Sequence, residues 1–252
     1  KIFDLNHGNS PGEAKGSSGH IPIEVMDALA IKQEAAQSGV AIGSIVEEQS
    51  QRIAAVLSQE VEGDLHDTLA YSIREILRNA LEHSHSETVR YSAQFYPTQD
   101  MVEVVILDKG RGIFESFSKN PYVDPKSDKE AINYSLMPGV SGTAFKGSKI
   151  NTRKDDWKNS GYGLYMTNRI CRAGGSFFIG SKSSALMLNP KSKQNIPFYH
   201  NGTLLRLSIK PSQVSNLKSK LLAFSQEGKE IAKNQTGTIL DASTASHRLT
   251  VD

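Results

Sequence analysis

Residues 101–108, with the sequence MVEVVILD, constrain the fold of this chain most strongly. Their apolar side chains are Val102, Val104, Val105, Ile106 and Leu107. A strand with so little polar face is typical of the buried interior of a sheet. The preceding segment, TVRYSAQFYP, alternates with a period of two and predicts the other strand of a hairpin. We therefore expect a sheet with this strand in its interior.

Helical patterns precede the hairpin. The segments IPIEVMDALAIKQEAAQSG, from Ile21, and SIVEEQSQRIAAVLSQEVEG space apolar residues at three and four. They predict two helices that end at Gly39 and Gly63, since glycine commonly ends a helix. A third helix begins near Asp64 and includes IREILRNALEH. Helices are thus expected to cover the sheet.

The second half of the chain is predicted to alternate loop, helix and strand. Residues 111–160 show only a short helical candidate, DKEAINYSLM, and a loop of this length is typical of a lid over a site. Next, we predict a helix in GYGLYMTNRICRAGG and strands in SFFIGSKS, ALMLN and GTLLRLSIK. A helix follows from about Ser212 to Glu227, and the segment GTILDAS after it has a strand-like pattern. We divide the chain into an arm with two helices (1–62), a central domain (63–211) and a C-terminal helix with an extension (212–252).

Charge and cysteine content exclude several function classes. Lys and Arg number 29 and Asp and Glu number 27, a net charge of +2, so nucleic-acid binding is not indicated. The single cysteine, Cys171, excludes an internal disulfide and predicts a cytoplasmic protein. No apolar run reaches the roughly 18 residues that span a membrane, so no membrane partner is expected.

A polar stripe lies along the third predicted helix. Glu75, Asn79 and His83 follow one another at intervals of four, so their side chains emerge from nearly the same side of the helix. The stripe is either a solvated edge or part of a site. Taken by itself, His83 is interpreted as a residue at the end of the helix.

Two pairs of glycines mark further candidate sites. Gly110 and Gly112 follow Asp108 at the end of the buried strand, where the backbone can turn sharply and approach a flat ligand. Asp108 could accept a hydrogen bond from a ligand amine, or it could simply be a turn residue. Gly161 and Gly163 open a helix, whose free N–H groups could bind phosphate, or they could only provide flexibility.

The order of these motifs resembles the GHKL ATPase family, which groups DNA gyrase, Hsp-type chaperones, histidine kinases and MutL. The resemblance extends over about residues 64–210. It implies the Bergerat ATP-binding fold, a two-layer α/β sandwich. In this fold a mixed, mostly antiparallel sheet has helices on one face, and a long lid covers ATP.

The resemblance also implies roles for the polar residues. Asn79 would coordinate Mg²⁺, and Glu75 would polarise the water that attacks ATP. Asp108 would accept from the adenine amine, with Thr203 supporting that end. Glycines 110 and 112 would shape the adenine pocket. The phosphate side would be formed by Gly161, Tyr162, Gly163 and Leu164.

The expected function is Mg²⁺-dependent ATP hydrolysis that changes the interaction with a protein partner or a second copy. Two alternatives stay open: a protein kinase of the anti-sigma or histidine-kinase kind, and a nucleotide-binding module without turnover. No long second domain of the gyrase or MutL type, which supplies a phosphate-contacting lysine, is evident, so we expect slow or absent turnover by the chain alone. Cations of the lid that could substitute are Lys146, Lys149, Arg153 and Lys158.

Overall fold

A five-stranded antiparallel sheet forms one layer of the protein. The computed structural model describes residues 16–148, 161–214 and 217–234. Its strands are β1 (His20–Asp27), β2 (Thr88–Tyr96), β3 (Met101–Asp108), β4 (Ser176–Leu188) and β5 (Lys193–Ile209). Their order across the sheet is β1-β2-β3-β5-β4, and every pairing is antiparallel rather than mixed. The predicted interior position of the 101–108 strand is confirmed.

Helices form the second layer. They are α1 (Ala28–Ser38), α2 (Ile42–Ser58), α3 (Asp64–Arg78), α4 (Ile113–Ser116), α5 (Asp128–Ser135), α6 (Gly163–Arg172) and α7 (Leu217–Lys233). A single π-helical turn, Asn79–His83, continues α3. Helices α2, α3 and α6 pack on the sheet. None of the helices in the described ranges has both the length and the apolar character needed to cross a membrane.

The two faces of the sheet differ in burial. One row of paired residues runs across four strands on the helical face, and each is at most 2% exposed: Ala93, Val104, Leu207 and Phe177. The adjacent row, Ser92, Val105, Arg206 and Phe178, is half-buried. Since neighbouring residues of a strand point to opposite faces, the helices cover one face only. The predicted two-layer α/β sandwich is confirmed.

Helix α3 occupies the centre of the helical layer. All its residues from Thr68 to Arg78 are buried, because α2 and α6 pack beside it and β3 lies beneath it. Glu75 therefore does not lie on a solvated edge, since its side chain is only 6% exposed. A buried carboxylate at this position requires polar partners.

The first predicted helix is wrong over its first third. Residues His20–Asp27 form β1, which pairs with the outer side of β2, and helix α1 starts only at Ala28. The Asp27 carboxylate accepts hydrogen bonds from the N–H groups of Leu29 and Ala30 at 2.9 Å and so caps α1. Residues 20–27 pair with the edge of β2, which is distant in sequence. This pairing outweighed the local helical spacing.

Other boundaries also differ from the predictions. SFFIGSKS and ALMLN form one strand, β4, whose register shifts near Lys182, a residue with φ +52°. The bulge interrupts the alternating pattern and explains why two strands were predicted. Ser212 lies in a short 3-10 turn, Pro211–Gln213, and the C-terminal helix is described over Leu217–Lys233. GTILDAS and residues 149–160 of the predicted lid lie outside the described residues.

A buried tyrosine joins β1 and α2 to the sheet. Tyr91 of β2 is 2% exposed, and its hydroxyl donates to the Glu24 carboxylate of β1. Arg52 of α2 donates to the same hydroxyl at 2.8 Å and also pairs with Glu24. Burial, and then the bond to Glu24, raise the pKa of Tyr91 far above its usual range, so the hydroxyl stays protonated.

Replacing Tyr91 by phenylalanine should lower the free energy of unfolding by about 1–2 kcal/mol. The ring still fills its site, but the hydrogen bonds to Glu24 and Arg52 are lost. Urea unfolding of both proteins measures the difference. A change below about 0.3 kcal/mol would mean that the Tyr91 hydroxyl adds little to the Arg52–Glu24 ion pair.

Candidate functional site

A cavity of about 930 Å³, part of it open to solvent, lies between α3, the first residues of α6 and residues 112–143. Eight of the ten predicted site residues line it: Glu75, Asn79, Asp108, Gly112, Gly161, Gly163, Leu164 and Thr203. Gly110 and Tyr162 are not among its lining residues. Much of the remaining wall is apolar, which suits a flat ring system.

Asp108 supplies a buried carboxylate to this cavity. It is the last residue of β3, is 4% exposed, and pairs with Thr203 of β5. Its Oδ1 accepts from the Gly110 N–H at 2.8 Å. Burial raises the pKa of the Asp108 carboxyl from 3.8 to about 6, although the N–H groups of Gly110 and Thr203 oppose this shift. Near neutral pH the group is therefore mainly an ionised acceptor.

The turn from Asp108 to Gly112 needs its glycines for packing. A Cβ on Gly110 would lie 2.1 Å from the carbonyl oxygen of Ser84, which follows the π turn. That same oxygen accepts from the Arg111 N–H at 2.8 Å. Gly112 has φ +82°, where other residues are strained. Gly110 therefore shapes the cavity from behind its wall.

Three residues that the sequence did not single out hold the turn from its other side. Ser181 Oγ accepts from the Ile113 N–H at 2.9 Å and donates to the Gly202 oxygen at 3.1 Å. His200 donates from Nε2 to the backbone carbonyl oxygen of Asp108 at 2.8 Å. Gly202 has φ +135° and approaches Asp108 so closely that a Cβ would lie 2.1 Å from that oxygen. The glycine before Thr203 was the one local signal of this contact.

Glu75 and Gly163 meet where α3 passes the start of α6. A Cβ on Gly163 would lie 2.3 Å from Glu75 Oε2. The other carboxylate oxygen, Oε1, accepts from Arg74 at 3.3 Å, and Arg74 also contacts Glu47 of α2 at 3.3 Å. The positive end of the α6 dipole favours a carboxylate at this position. Glu75 is thus held in one orientation at the cavity wall.

Gly161 brings the start of α6 against the loop that follows α5. Its φ is +72°, and a Cβ would lie 2.9 Å from the backbone of Gly139 and Val140. Val140 and the next three residues also line the cavity. The Gly161–Gly163 segment and this loop therefore form one continuous part of the wall.

Asn79 is the candidate metal ligand. It opens the π turn, lines the cavity, and its side chain makes no hydrogen bond to another described residue. Within the described ranges, no three His, Cys, Asp or Glu side chains could hold a metal ion together. Mg²⁺ often keeps several waters and takes ligands from substrate phosphates. An amide side chain in the cavity wall, such as that of Asn79, can supply one oxygen ligand to such an ion.

A model of the histidine kinase-, DNA gyrase B- and HSP90-like ATPase family matches residues 65–213. The chain belongs to this family. The predicted GHKL resemblance is thereby confirmed, and membership implies an ATP-binding domain. Comparison with curated proteins gives no match. Strand β1, helices α1 and α2, and helix α7 lie outside the part matched by the family.

His83 is a further wall residue of this GHKL domain. It ends the π turn, as expected for a residue of the helix end, and it also lines the cavity. Burial lowers the pKa of the His83 imidazole to about 4, and the charges of Arg78 and Arg111 act in the same direction. The neutral ring can contact a ligand without adding a charge. Its four-residue spacing from Asn79 was the available signal.

Tyr162 and Lys146 lie differently from the expectation. The Tyr162 side chain is fully buried and packs edge-on against Tyr165, with the ring centroids 6.4 Å apart. Lys146 is exposed and is not among the lining residues. The other three predicted cations lie outside the described residues. The ligand contacts of all predicted site residues stay predictions.

Substituting Asp108 by asparagine should separate nucleotide binding by the GHKL domain from folding. The amide oxygen can still accept from Gly110, but the negative acceptor for an amine is lost. We expect ATP affinity at pH 7.5 to fall by about tenfold or more, since a hydrogen bond to a charged group contributes about 1.5–3 kcal/mol. Calorimetric titration with ATP measures this, and unchanged affinity would remove Asp108 from the site.

The same variant should have a pH-dependent stability advantage. Because the folded pKa of Asp108 is raised to about 6, its stability contribution is present below pH 3.8 and is lost as the pH rises through 6. The variant should match the parent near pH 4 and exceed it at pH 7.5 by up to about 3 kcal/mol. Urea unfolding at both pH values tests this. A difference that does not vary with pH would contradict the burial argument.

Proposed function

We propose that this domain binds Mg²⁺–ATP and hydrolyses it. The observation that carries the proposal is the fixed carboxylate of Glu75 at the cavity wall, against the first residue of α6 and one turn before Asn79. A water held between this carboxylate and a bound phosphate could be polarised for attack. Glu75 is therefore our candidate base for hydrolysis.

The two ends of the cavity suit the two ends of ATP. Asp108 and Thr203 lie together at the strand ends, where an adenine amine would meet a buried acceptor within an apolar wall. Gly161 and Gly163 lie in the same wall at the start of α6, where backbone N–H groups favour phosphate. One nucleotide could contact both ends because they belong to a single cavity.

Mg²⁺ would be held by Asn79 together with phosphate oxygens and water. When bound, it supplies positive charge that offsets the charge on the phosphates. The chain's own residues position the reactants: Arg74 and Glu47 orient Glu75, and the Ser84 contact fixes the turn after Asp108.

We propose that ATP turnover changes the conformation of the domain and thereby its interaction with a protein partner or a second copy. Residues 140–143 lie in the cavity wall, so a bound nucleotide would contact a segment outside the rigid sheet. We also propose the cytoplasm as the compartment, in keeping with a single, fully buried cysteine.

One observation favours a second candidate, a nucleotide-binding module without turnover. Glu75 is buried and contacts both Arg74 and the start of α6, which are the features of a carboxylate that holds two helices together. In that case ATP would be a structural ligand only. Measured turnover decides between the two candidates.

Replacing Glu75 by glutamine should abolish most turnover but leave binding nearly intact. Glutamine keeps the shape of the side chain and an oxygen for Arg74, but it is a poor base. We expect phosphate release to fall by about 10²–10⁴ and ATP affinity to change by less than about threefold. The matched control is Glu48→Gln, the same change at an exposed carboxylate of α2 outside the cavity.

Labelled γ-phosphate separates the remaining outcomes of this experiment. Label released as free phosphate supports hydrolysis, and label on a protein Ser, Thr or His indicates a kinase. Binding without either product favours the second candidate. Equal rates for the Glu75→Gln variant and the parent would remove Glu75 as the base.

Replacing Asn79 by alanine should abolish the effect of Mg²⁺ on ATP affinity. The parent should bind ATP more tightly with Mg²⁺ than with a chelator, whereas the variant should bind equally in both conditions. Titration under both conditions gives the comparison. A variant that retains the full Mg²⁺ effect would show that the ion has other ligands.

A further inference from the structure

Helix α7 packs against the nucleotide domain through a stripe of small residues. It lies outside the part matched by the family and contacts α6 and α3. Among the residues of α7 whose burial the structure describes, four are buried: Leu221, Ser225, Gly228 and Ala232. Their spacing of four, three and four places them on one side of the helix. Three of the four are small, so α7 can approach its neighbours closely.

Gly228 makes the closest of these contacts. A Cβ at this position would lie 2.9 Å from the Tyr165 ring, 3.1 Å from the Tyr162 ring and 3.3 Å from Pro138. Both rings are buried and pack against each other, so neither can move aside freely. A larger residue at 228 would therefore displace α7.

The residues that Gly228 contacts lie directly behind the cavity wall. Tyr162 is the residue between Gly161 and Gly163, both of which line the cavity. Pro138 precedes Gly139 and Val140, whose backbone packs against Gly161. A single layer of residues thus separates α7 from the candidate phosphate end.

Directional contacts set the rotation of α7 about its axis. The Tyr165 hydroxyl donates to the Phe224 oxygen at 3.3 Å. Arg169 of α6 forms an ion pair with Glu227, and its guanidinium lies 4.8 Å from the centre of the Phe224 ring. These contacts hold the stripe with Gly228 toward Tyr162.

We propose that docking of α7 and nucleotide binding are thermodynamically coupled. Docked α7 contacts Tyr162 and Pro138 and keeps them in place. Through these two residues it holds the backbone of Gly161 and Gly163 in the geometry proposed to bind phosphate. A partner protein that displaces α7 would lower ATP affinity, and one that holds it in place would raise it. The coupling is reciprocal, so ATP must stabilise the docked helix by the same factor. This proposal rests on the proposed nucleotide binding.

Hydrogen exchange on the full chain, with and without Mg²⁺–ADP, tests one direction of the coupling. We expect amides of Leu217–Lys233 to exchange at least about fivefold more slowly with nucleotide. Helix α1 is the internal control, because it contributes no residue to the cavity lining and should not change. Unchanged exchange in α7, or equal slowing in α1 and α7, overturns the proposal.

The variant Gly228→Leu tests the other direction. Leucine favours helix more than glycine does, so weaker docking would come from the clash and not from lost helicity. ADP affinity should fall by about fivefold or more, while Gln226→Leu, with the same residue on the exposed side of α7, should bind like the parent. Equal affinity for Gly228→Leu and the parent overturns the coupling.

Two further comparisons keep these outcomes separable. If Gly228→Leu does not fold, Glu227→Ala, which removes only the ion pair with Arg169, takes its place. That variant must also show faster exchange in α7 together with weaker ADP binding, and unchanged affinity despite faster exchange contradicts the coupling. If the parent itself binds no nucleotide, the proposed function fails, and the coupling fails with it.

Discussion

The close approach of α3 and α6 at Glu75 and Gly163 is the contact on which the site depends. The Glu75 carboxylate lies so near the start of α6 that a single methyl group on Gly163 would overlap it. Arg74 and Glu47 extend the contact to α2, so three helices are joined through one buried carboxylate. This contact fixes one wall of the cavity over the end of the sheet.

Because of this contact, a substitution at Gly163 would affect more than nucleotide binding. From the motif alone, an alanine there would test nucleotide binding. In the structure it would also push the Glu75 carboxylate away from its position, so binding and turnover would change together. Glycines of this site therefore serve the packing of the protein as well as access to the ligand. Gly110 and Gly161 illustrate this too, since each lies against a backbone segment distant in sequence.

Burial of Asp108 shows that the site is maintained at a cost to stability. The carboxyl sits in a mainly apolar wall, and burial favours its neutral form. The opposing hydrogen bonds from Gly110 and Thr203 reduce this cost without removing it. In the proposed nucleotide complex, this acceptor would gain a partner from the adenine amine, which would offset part of the cost of its burial.

The sequence by itself determined the interior strand, the order of the motifs and the stripe of Glu75, Asn79 and His83. These features are local, because periodicity and glycine spacing depend on neighbouring residues only. Through the family resemblance that they carry, they predicted the two-layer fold and eight residues that meet in one cavity.

Only the tertiary structure decided how distant segments meet. It made residues 20–27 an edge strand, since β2 needed a partner, and it directed Tyr162 into the core. It also brought Ser181 and His200 to the turn after Asp108, and Gly228 to the back of the cavity wall. Local sequence patterns do not predict these contacts, because each contact depends on the packing of residues far apart in the chain.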